Sequence, residues 1–273
     1  MLGKLMKYEI KATQRTFLPL YALVLAFAVL IRVFMVLNMQ HAQGVAIIPF
    51  VITIMIYCVL IAAVFVMTLV VTIQRFNKNL LGDEGYLSFT LPVKVHSHIT
   101  SKMIVSLMWT ILSLIVAFGS SVILVNDKSV VVQMREFWDQ VRQFFCGKYG
   151  FWGGLISVET ILTMIVGLLV CILHLYASVT VGNLSSKHKL LAGFGAFIGF
   201  FIIELIVTSL LINLGINVST QEAFQLFWNR IDELGKYRSA AGAIGVGLVY
   251  ESLFGLAFYF LTNWLLSDKL NLE

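Results

Sequence analysis

Charged residues are scarce in this chain, and their scarcity excludes most classes of soluble protein. Only 12% of the 273 residues are Asp, Glu, Lys or Arg, whereas 59% are hydrophobic and the mean hydropathy is +0.92. A typical soluble domain has a charged fraction of about 25%. The composition therefore predicts an integral membrane protein.

Cysteine is also rare. Cys58 and Cys171 fall inside apolar runs and Cys146 falls between two of them, with no CxxC spacing anywhere in the chain. A paired cysteine framework or a zinc site needs regular spacing that this sequence lacks. We therefore expect neither disulfides nor bound zinc.

Catalytic signatures are missing as well. The chain has no HExxH, no GxSxG, no GxxxxGK[ST] phosphate loop and no acidic triplet suited to a metal ion. His96 and His98, beside Asp83 and Glu84, form the one loop cluster with metal-ligating side chains, but it lacks the fixed spacing of strong sites. We therefore expect no enzyme activity, no metal and no cofactor bound by this chain itself.

Six apolar runs of about 20 residues or more recur along the chain, and each is long enough to cross a bilayer as a helix. The first run is too long for a signal-peptide core and no small-residue cleavage site follows it, so we expect it to remain as an anchor. The sequence thus predicts one all-α transmembrane domain over residues 1–273. The predicted spans are 17–38, 46–73, 103–125, 153–178, 190–213 and 241–266.

The distribution of Lys and Arg predicts the orientation of these spans. Eleven positive residues fall at the two termini and in the second and fourth loops, and seven fall on the opposite side. The positive-inside rule then places both termini in the cytoplasm. No basic residues alternate with exposed aromatic residues, so the net charge of +5 indicates anionic lipid headgroups rather than nucleic acid.

Three amphipathic segments flank the spans. Residues 3–15 place apolar and basic side chains on opposite faces and predict an interfacial elbow helix, although a merely polar cytoplasmic segment is an alternative. Residues 131–145 and 219–234 repeat apolar residues at three- and four-residue steps and predict two short outer helices. Gly195 and Gly199 have the GxxxG spacing of close helix packing, within one subunit or between two.

Four charged residues lie inside the predicted spans: Arg32, Glu159, Glu204 and Glu251. A charge at the centre of a membrane helix costs about 2.5–3.5 kcal/mol on the insertion scale, so each needs a physical explanation. Either they line a translocation path or couple to protons, or they make structural hydrogen bonds between helices. His174 is a further polar residue that could join such a cluster.

The segment from Arg75 to Lys102, RFNKNLLGDEGYLSFTLPVKVHSHITSK, is too polar for a bilayer to hold. It has charges of both signs, a Gly-bounded acidic turn and a proline. This pattern predicts a short helix and turn at the membrane surface, to which a cytoplasmic partner binds. A solvated loop without a partner is the alternative.

The same segment resembles a known family. With six spans and an amphipathic segment before the first, the stretch GDEGYLSFTLPV resembles the permease subunits of type 2 ABC transporters from Gram-positive gut bacteria. The resemblance implies that a coupling helix after span two docks on a cytoplasmic ABC ATPase. It assigns this role to Asp83, Glu84, Tyr86, Phe89 and Pro92, with a second contact at Ser185, Lys187 and Lys189.

The resemblance also implies an assembly in the bacterial plasma membrane. Two permease subunits, identical or different, would join two ATPase subunits that bind ATP and Mg²⁺. The function so implied is export of a peptide, a lipid-like or a drug-like compound, or clearance of an antimicrobial peptide. Two alternatives stay open, a proton-driven secondary transporter using Glu204 and Glu251, and a membrane sensor or assembly factor that transports nothing.

Overall fold

The computed structural model describes residues 2–37, 41, 44–82, 95–124, 128–146, 150–185, 187–219 and 233–269. In these ranges all regular secondary structure is helical, as the sequence predicts. We number the α-helices in chain order: α1 (Leu2–Val36), α2 (Ile48–Phe76), α3 (Val95–Leu124), α4 (Lys128–Cys146), α5 (Gly150–Gly182), α6 (Lys189–Ser219) and α7 (Glu233–Trp264). A short 3-10 turn (Gly44–Ile47) precedes α2, and π-helical turns (Asn77–Leu81 and Leu265–Lys269) extend α2 and α7.

Six of these helices are long and apolar enough to cross a membrane, which confirms the predicted number of spans. They are α1, α2, α3, α5, α6 and α7. Several continue well beyond the predicted spans, and α1 starts 15 residues before residue 17. Hydropathy marks only the part of a helix that matches the hydrocarbon core, whereas backbone hydrogen bonding carries the helix into its polar flanks.

The predicted elbow is not confirmed as a separate helix. Residues 3–15 are helical, but they continue without a break through Pro19 to Val36. Thr13, Phe17 and Tyr21 are all buried and lie one turn apart. The apolar stripe of residues 3–15 is therefore in register with the stripe of the span, and one straight helix buries both.

Residues 131–145, predicted as the first outer helix, are helical and form part of α4. Its described charged side chains, such as Arg135 and Asp139, are exposed, and so is Trp138. The second predicted outer helix falls mostly outside the described residues. At its edges, Ser219 is the last residue of α6 and Leu234 belongs to the first turn of α7.

The chain divides into two compact units, Met1–Met134 and Arg135–Glu273. In the first unit, α1 and α3 run parallel because Thr13 and Tyr21 on α1 contact Trp109 and Ser113 on α3 in the same order. Helix α2 runs antiparallel to both. At the centre, the rings of Phe17 and Trp109 stack with centroids 4.6 Å apart.

The second unit has the same up–down–up order. Helices α5 and α7 run parallel, as shown at their first turns by the Arg238 guanidinium, which lies 5.3 Å from the ring centre of Trp152. Helix α6 comes between α5 and α7 in the chain and runs antiparallel to both. It contacts α5 through His174 and Phe197.

Helices α5 and α6 meet at a glycine contact where their polypeptide backbones touch. A Cβ atom built on Gly182 would lie 2.6 Å from the Cα of Gly193 and 2.8 Å from the carbonyl oxygen of Lys189. Both neighbours are backbone atoms that cannot move aside independently. Gly195 and Gly199, by contrast, have no atom within 4 Å of such a Cβ, so their GxxxG spacing makes no close contact among the described residues.

We predict that Gly182→Ala lowers the free energy of unfolding by about 1–3 kcal/mol, because the new methyl group forces α5 and α6 apart. The matched control is Gly119→Ala on α3, where a Cβ meets nothing within 4 Å. That change removes a helical glycine and should leave stability unchanged or raise it by up to about 1 kcal/mol. Unfolding by sodium dodecyl sulfate in mixed micelles measures both. Equal stability of the two variants would contradict the glycine contact.

Candidate functional site

The polar end of the first unit holds a buried ion pair where the segment 83–94 leaves and re-enters the described chain. The Lys102 ammonium on α3 pairs with the Glu9 carboxylate on α1, and the two side chains are only 5% and 14% exposed. The Asn79 amide, in the π-helical turn after α2, donates to the same Glu9 oxygen at 3.3 Å. We call Glu9, Asn79 and Lys102 the basal clamp. It ties the end of α2 and the start of α3 to α1.

Side-chain hydrogen bonds continue from the basal clamp along α1 and α3. The Trp109 indole N–H donates to the Thr13 hydroxyl at 2.7 Å, and that hydroxyl donates to the Glu9 carbonyl at 2.8 Å. Each group therefore has a partner although both side chains are buried. The indole links α3 to α1 about one turn above the clamp.

A further set of hydroxyls joins all three helices of the first unit. The Thr68 hydroxyl on α2 donates a hydrogen bond to the carbonyl of Val64 at 2.7 Å. Its oxygen therefore accepts a hydrogen bond from the Ser113 hydroxyl on α3 at 2.9 Å. Tyr21 on α1 then donates to Ser113 at 2.8 Å and shares this proton with the carbonyl of Trp109 at 3.3 Å. Each hydroxyl of this set thus has a hydrogen-bond partner.

The same logic applies nearer the other end of the bundle. Ser120 donates to the carbonyl of Ala117 at 2.9 Å, so Tyr57 on α2 donates to Ser120 at 2.9 Å. We call these buried bonds, from Thr13 to Ser120, the polar ladder. In a bilayer, where water supplies no alternative partner, such bonds hold helices together.

The residues that the family resemblance assigns to a coupling helix, Asp83, Glu84, Tyr86, Phe89 and Pro92, lie outside the described residues. What the structure describes is the anchorage of that segment. The amide of Gly82 closes the π-helical turn by donating to the carbonyl of Asn77 at 2.8 Å. The segment 83–94 thus starts and ends at helix termini that the basal clamp connects.

The second predicted contact lies in the turn between α5 and α6. The Ser185 hydroxyl accepts a hydrogen bond from the backbone N–H of His188 at 3.4 Å. Lys187 and Lys189 are exposed there. Their side chains are therefore accessible, and their role in binding an ATPase stays a prediction.

His96 and His98 do not form a shared site. They are two residues apart on α3, a spacing that points side chains to different faces of a helix. His96 is exposed whereas His98 is buried, with 4% of its surface accessible. The described residues contain no group of three or more metal-ligating side chains.

The second unit contains a cavity of about 400 Å³ among α5, α6 and α7, which we call the polar cavity. Two of the four predicted intramembrane charges, Glu204 and Glu251, line it. The sequence named His174 as a neighbour for such a cluster, and it lines the cavity too. The remaining lining residues are Gly167, Val170, Cys171, Phe197, Phe201, Thr208, Tyr250 and Phe254.

His174 and Glu204 face each other in this cavity. The Nε2 atom of His174 lies 3.1 Å from the carbonyl oxygen of Phe197, and because a carbonyl only accepts, Nε2 donates this hydrogen bond. The Nδ1 atom lies 3.5 Å from Oε1 of Glu204. This is an electrostatic contact rather than a hydrogen bond, because Oε1 has no hydrogen-bond partner among the described residues.

The hydroxyls of the cavity do not reach the carboxylates. Thr208 donates to the Glu204 carbonyl at 2.7 Å, so the Tyr250 hydroxyl donates to Thr208 at 2.7 Å. Both hydroxyl protons are used in this way. Oε1 of Glu204 and Oε2 of Glu251 are buried and have no hydrogen-bond partner among the described residues.

Glu159 and Glu251 each lie against a glycine of the opposite helix. A Cβ built on Gly245 of α7 would be 3.8 Å from Oε1 of Glu159, and one built on Gly167 of α5 would be 3.5 Å from Oε2 of Glu251. Glu159 does not line the polar cavity. Arg32 lies on α1 in the first unit, where its Nη1 atom is buried and makes no hydrogen bond with the described residues.

Comparisons of the chain with protein-family models, with curated proteins and with solved structures find no match. The fold and sites above therefore rest on this chain's own residues.

Sequence reasoning missed four residues of these sites. Lys102 was counted only as a loop charge, and Tyr250 and Thr208 were not singled out. Glu9 was also missed, although it is the only acidic residue among the first 82 and is surrounded by basic ones. A single acidic residue among basic ones is a sequence feature that indicates a structural ion pair.

We predict that Lys102→Met lowers the free energy of unfolding by about 3 kcal/mol, because it leaves the Glu9 carboxylate buried without its cation. The double variant Glu9→Gln with Lys102→Met should recover part of that loss, since no unpaired charge remains. The matched control is Lys7→Met, at an exposed lysine of α1, with an expected change within about 0.5 kcal/mol. Unfolding in mixed micelles measures the wild type, Glu9→Gln, Lys102→Met, the double variant and the control. Additive effects of the two clamp substitutions would contradict the pairing.

Proposed function

We propose that this chain is the permease subunit of an ATP-driven ABC transporter that exports a peptide, lipid-like or drug-like compound. The ATPase would be a separate cytoplasmic protein. The observation that carries the proposal is the anchorage of segment 83–94, whose two ends leave helices joined by the basal clamp. Six membrane-spanning helices provide the framework that such a subunit needs.

A loop transmits force only if its ends are fixed to the elements that must move. Lys102 and Asn79 hold α3 and the end of α2 to the same carboxylate of α1. The polar ladder then extends the connection through buried bonds such as Tyr21 to Ser113 and Tyr57 to Ser120. A push on segment 83–94 would therefore move the three helices of the first unit as one body.

The same proposal implies how the subunits would work together and how the chain would be oriented in the membrane. ATP binding would close two ATPase subunits, push the coupling segments of two permease subunits and open a path toward the outside. The bias of Lys and Arg supports both termini in the cytoplasm of a bacterial cell. Acidic and aromatic residues at 83–89 suit a groove with basic rims on the ATPase, because aromatic anchors and complementary charges dominate such interfaces.

The polar cavity favours a second candidate, a proton-coupled secondary transporter. Glu204 and Glu251 have buried oxygens without hydrogen-bond partners, and Nδ1 of His174 lies 3.5 Å from Oε1 of Glu204. Groups of this kind inside a membrane are typical of proton relays. The two candidates differ in their energy source.

We predict that Glu84→Lys combined with Tyr86→Ala abolishes co-purification of an ATPase with this chain from a native membrane. The charge reversal repels the basic rim and the truncation removes an anchor, which together should lower retention at least about tenfold. Affinity purification in mild detergent with identification of the bound proteins measures retention.

The matched control is Glu136→Lys with Trp138→Ala on α4. It makes the same charge reversal and a similar aromatic truncation on exposed side chains of the outer helix. The control should retain the ATPase fully. Unchanged retention by the Glu84 and Tyr86 variant, or a wild-type chain that brings down no ATPase, would reject the proposal.

For the second candidate we predict a proton flux through the purified chain in vesicles that contain no nucleotide. A trapped pH-sensitive dye would report decay of an imposed pH gradient, and Glu204→Gln with Glu251→Gln would slow it to the rate of empty vesicles. Decay that is equal with and without the chain would reject proton coupling and leave the ATP-driven reading in place.

A further inference from the structure

We infer that the polar cavity is a binding site for a lipophilic organic monocation, one positive charge shielded by aromatic or alkyl groups. This inference names the substrate class of the proposed transporter and rests on that function for its purpose. The binding itself requires only the three helices of the second unit.

The charge of the cavity selects a cation. No Lys or Arg is among its lining residues, whereas two carboxylates are. A bound monocation would offset the charge of an ionised carboxylate in this largely apolar space. The unpartnered oxygens Oε1 of Glu204 and Oε2 of Glu251 are the groups that a bound cation would satisfy.

The walls select an organic ion over a metal ion. The lining is mostly apolar and includes the rings of Phe197, Phe201 and Phe254. Hard metal cations such as Ca²⁺ require about six to eight oxygen ligands, which two carboxylates and two engaged hydroxyls do not supply. Aromatic faces attract organic cations, and they also pack against the apolar groups that surround the charge.

The size of the cavity fits a small molecule. Ligand pockets in proteins are typically about 300–1,000 Å³, and this one is about 400 Å³. Gly167 contributes to that space, because a side chain there would approach Oε2 of Glu251. His174 is held in place by Phe197 and by Phe258, whose ring stacks on the imidazole with centroids 5.0 Å apart. The imidazole of α5 is thus held by one residue of α6 and one of α7.

The test uses two probes of the same shape and opposite charge, tetraphenylphosphonium and tetraphenylborate. The full-length chain is purified alone in detergent, and binding of each probe is measured by equilibrium dialysis against protein-free micelles. We expect saturable binding of the phosphonium and no saturable binding of the borate. Saturable binding of both probes, or of neither, would overturn the inference.

The variants locate the bound ion. Glu204→Gln and Glu251→Gln should each weaken phosphonium binding at least about tenfold. Phe201→Leu should weaken it about threefold through loss of a cation–π contact. The matched control is Glu159→Gln, which neutralises an intramembrane carboxylate outside the cavity and should leave affinity unchanged. Equal losses in Glu159→Gln and Glu251→Gln would overturn the assignment to this cavity.

Cys171 provides a second readout, because its thiol lines the cavity. In a chain with Cys58→Ser and Cys146→Ser, bound phosphonium should slow alkylation of Cys171 by a small maleimide at least about threefold. In a chain that keeps only Cys58, on α2 in the first unit, it should have no effect. Unprotected Cys171 at saturating phosphonium would contradict binding in the cavity even if a charge-dependent affinity is measured.

The outcomes separate this inference from the proposed function. A chain that recruits an ATPase but binds no phosphonium keeps its proposed function and loses this site. A chain that binds phosphonium through Glu204 and Glu251 but recruits no ATPase keeps the site and loses the ATP-driven function.

Discussion

The constraint on which this structure depends is that hydrocarbon offers no hydrogen-bond partner, so buried polar side chains must satisfy one another. Much of the first unit meets this constraint, although Nη1 of Arg32 is buried without a hydrogen bond to the described residues. Glu9 and Lys102 neutralise each other at the polar end, and the hydroxyls above them form hydrogen bonds between the helices. The result is a bundle whose polar groups serve as links between helices. A body of this kind suits the transmission of force, because no member gains by separating from its neighbours.

In the second unit, buried carboxylate oxygens of Glu159, Glu204 and Glu251 make no hydrogen bond with the described residues, and two of these residues line the polar cavity. Its hydroxyls on Thr208 and Tyr250 are engaged with each other and with the backbone, and carboxylate oxygens of Glu204 and Glu251 stay without hydrogen bonds beside a cavity. A fully structural role would close this gap with the nearby hydroxyls, which lie on the same two helices. The units therefore differ in where their unpartnered polar atoms lie, since only those of Glu204 and Glu251 lie beside the polar cavity.

Helical spans were predictable because apolar composition over about 20 residues is a strong local signal. Helix α4 was predictable for a similar reason, since its stripe has a period that only a helix buries. The predicted elbow is not a separate helix, because the hydrophobic period of residues 3–15 continues into the span. A hydrophobic period does not show where a helix bends. Glu204 and Glu251 were identified as costly residues, but their shared cavity depends on the register of α5, α6 and α7. Such registers arise from contacts like Gly182 with Gly193, which no local pattern encodes.

Glu159 and Glu251 show why residue type alone does not assign a role. Both are single carboxylates in long apolar helices, and both lie against a glycine across the same parallel pair of helices, α5 and α7. The difference between them is the third helix. Beside Glu251, α6 brings Glu204 and aromatic rings to the same space, whereas Glu159 lies outside that space. A carboxylate opposite a glycine is compatible with simple packing, and it becomes part of a binding site only where a neighbouring helix leaves room and adds complementary groups. The α5–α6 glycine contact brings α6 close to α5, and α6 in turn supplies the groups that lie beside Glu251 and not beside Glu159.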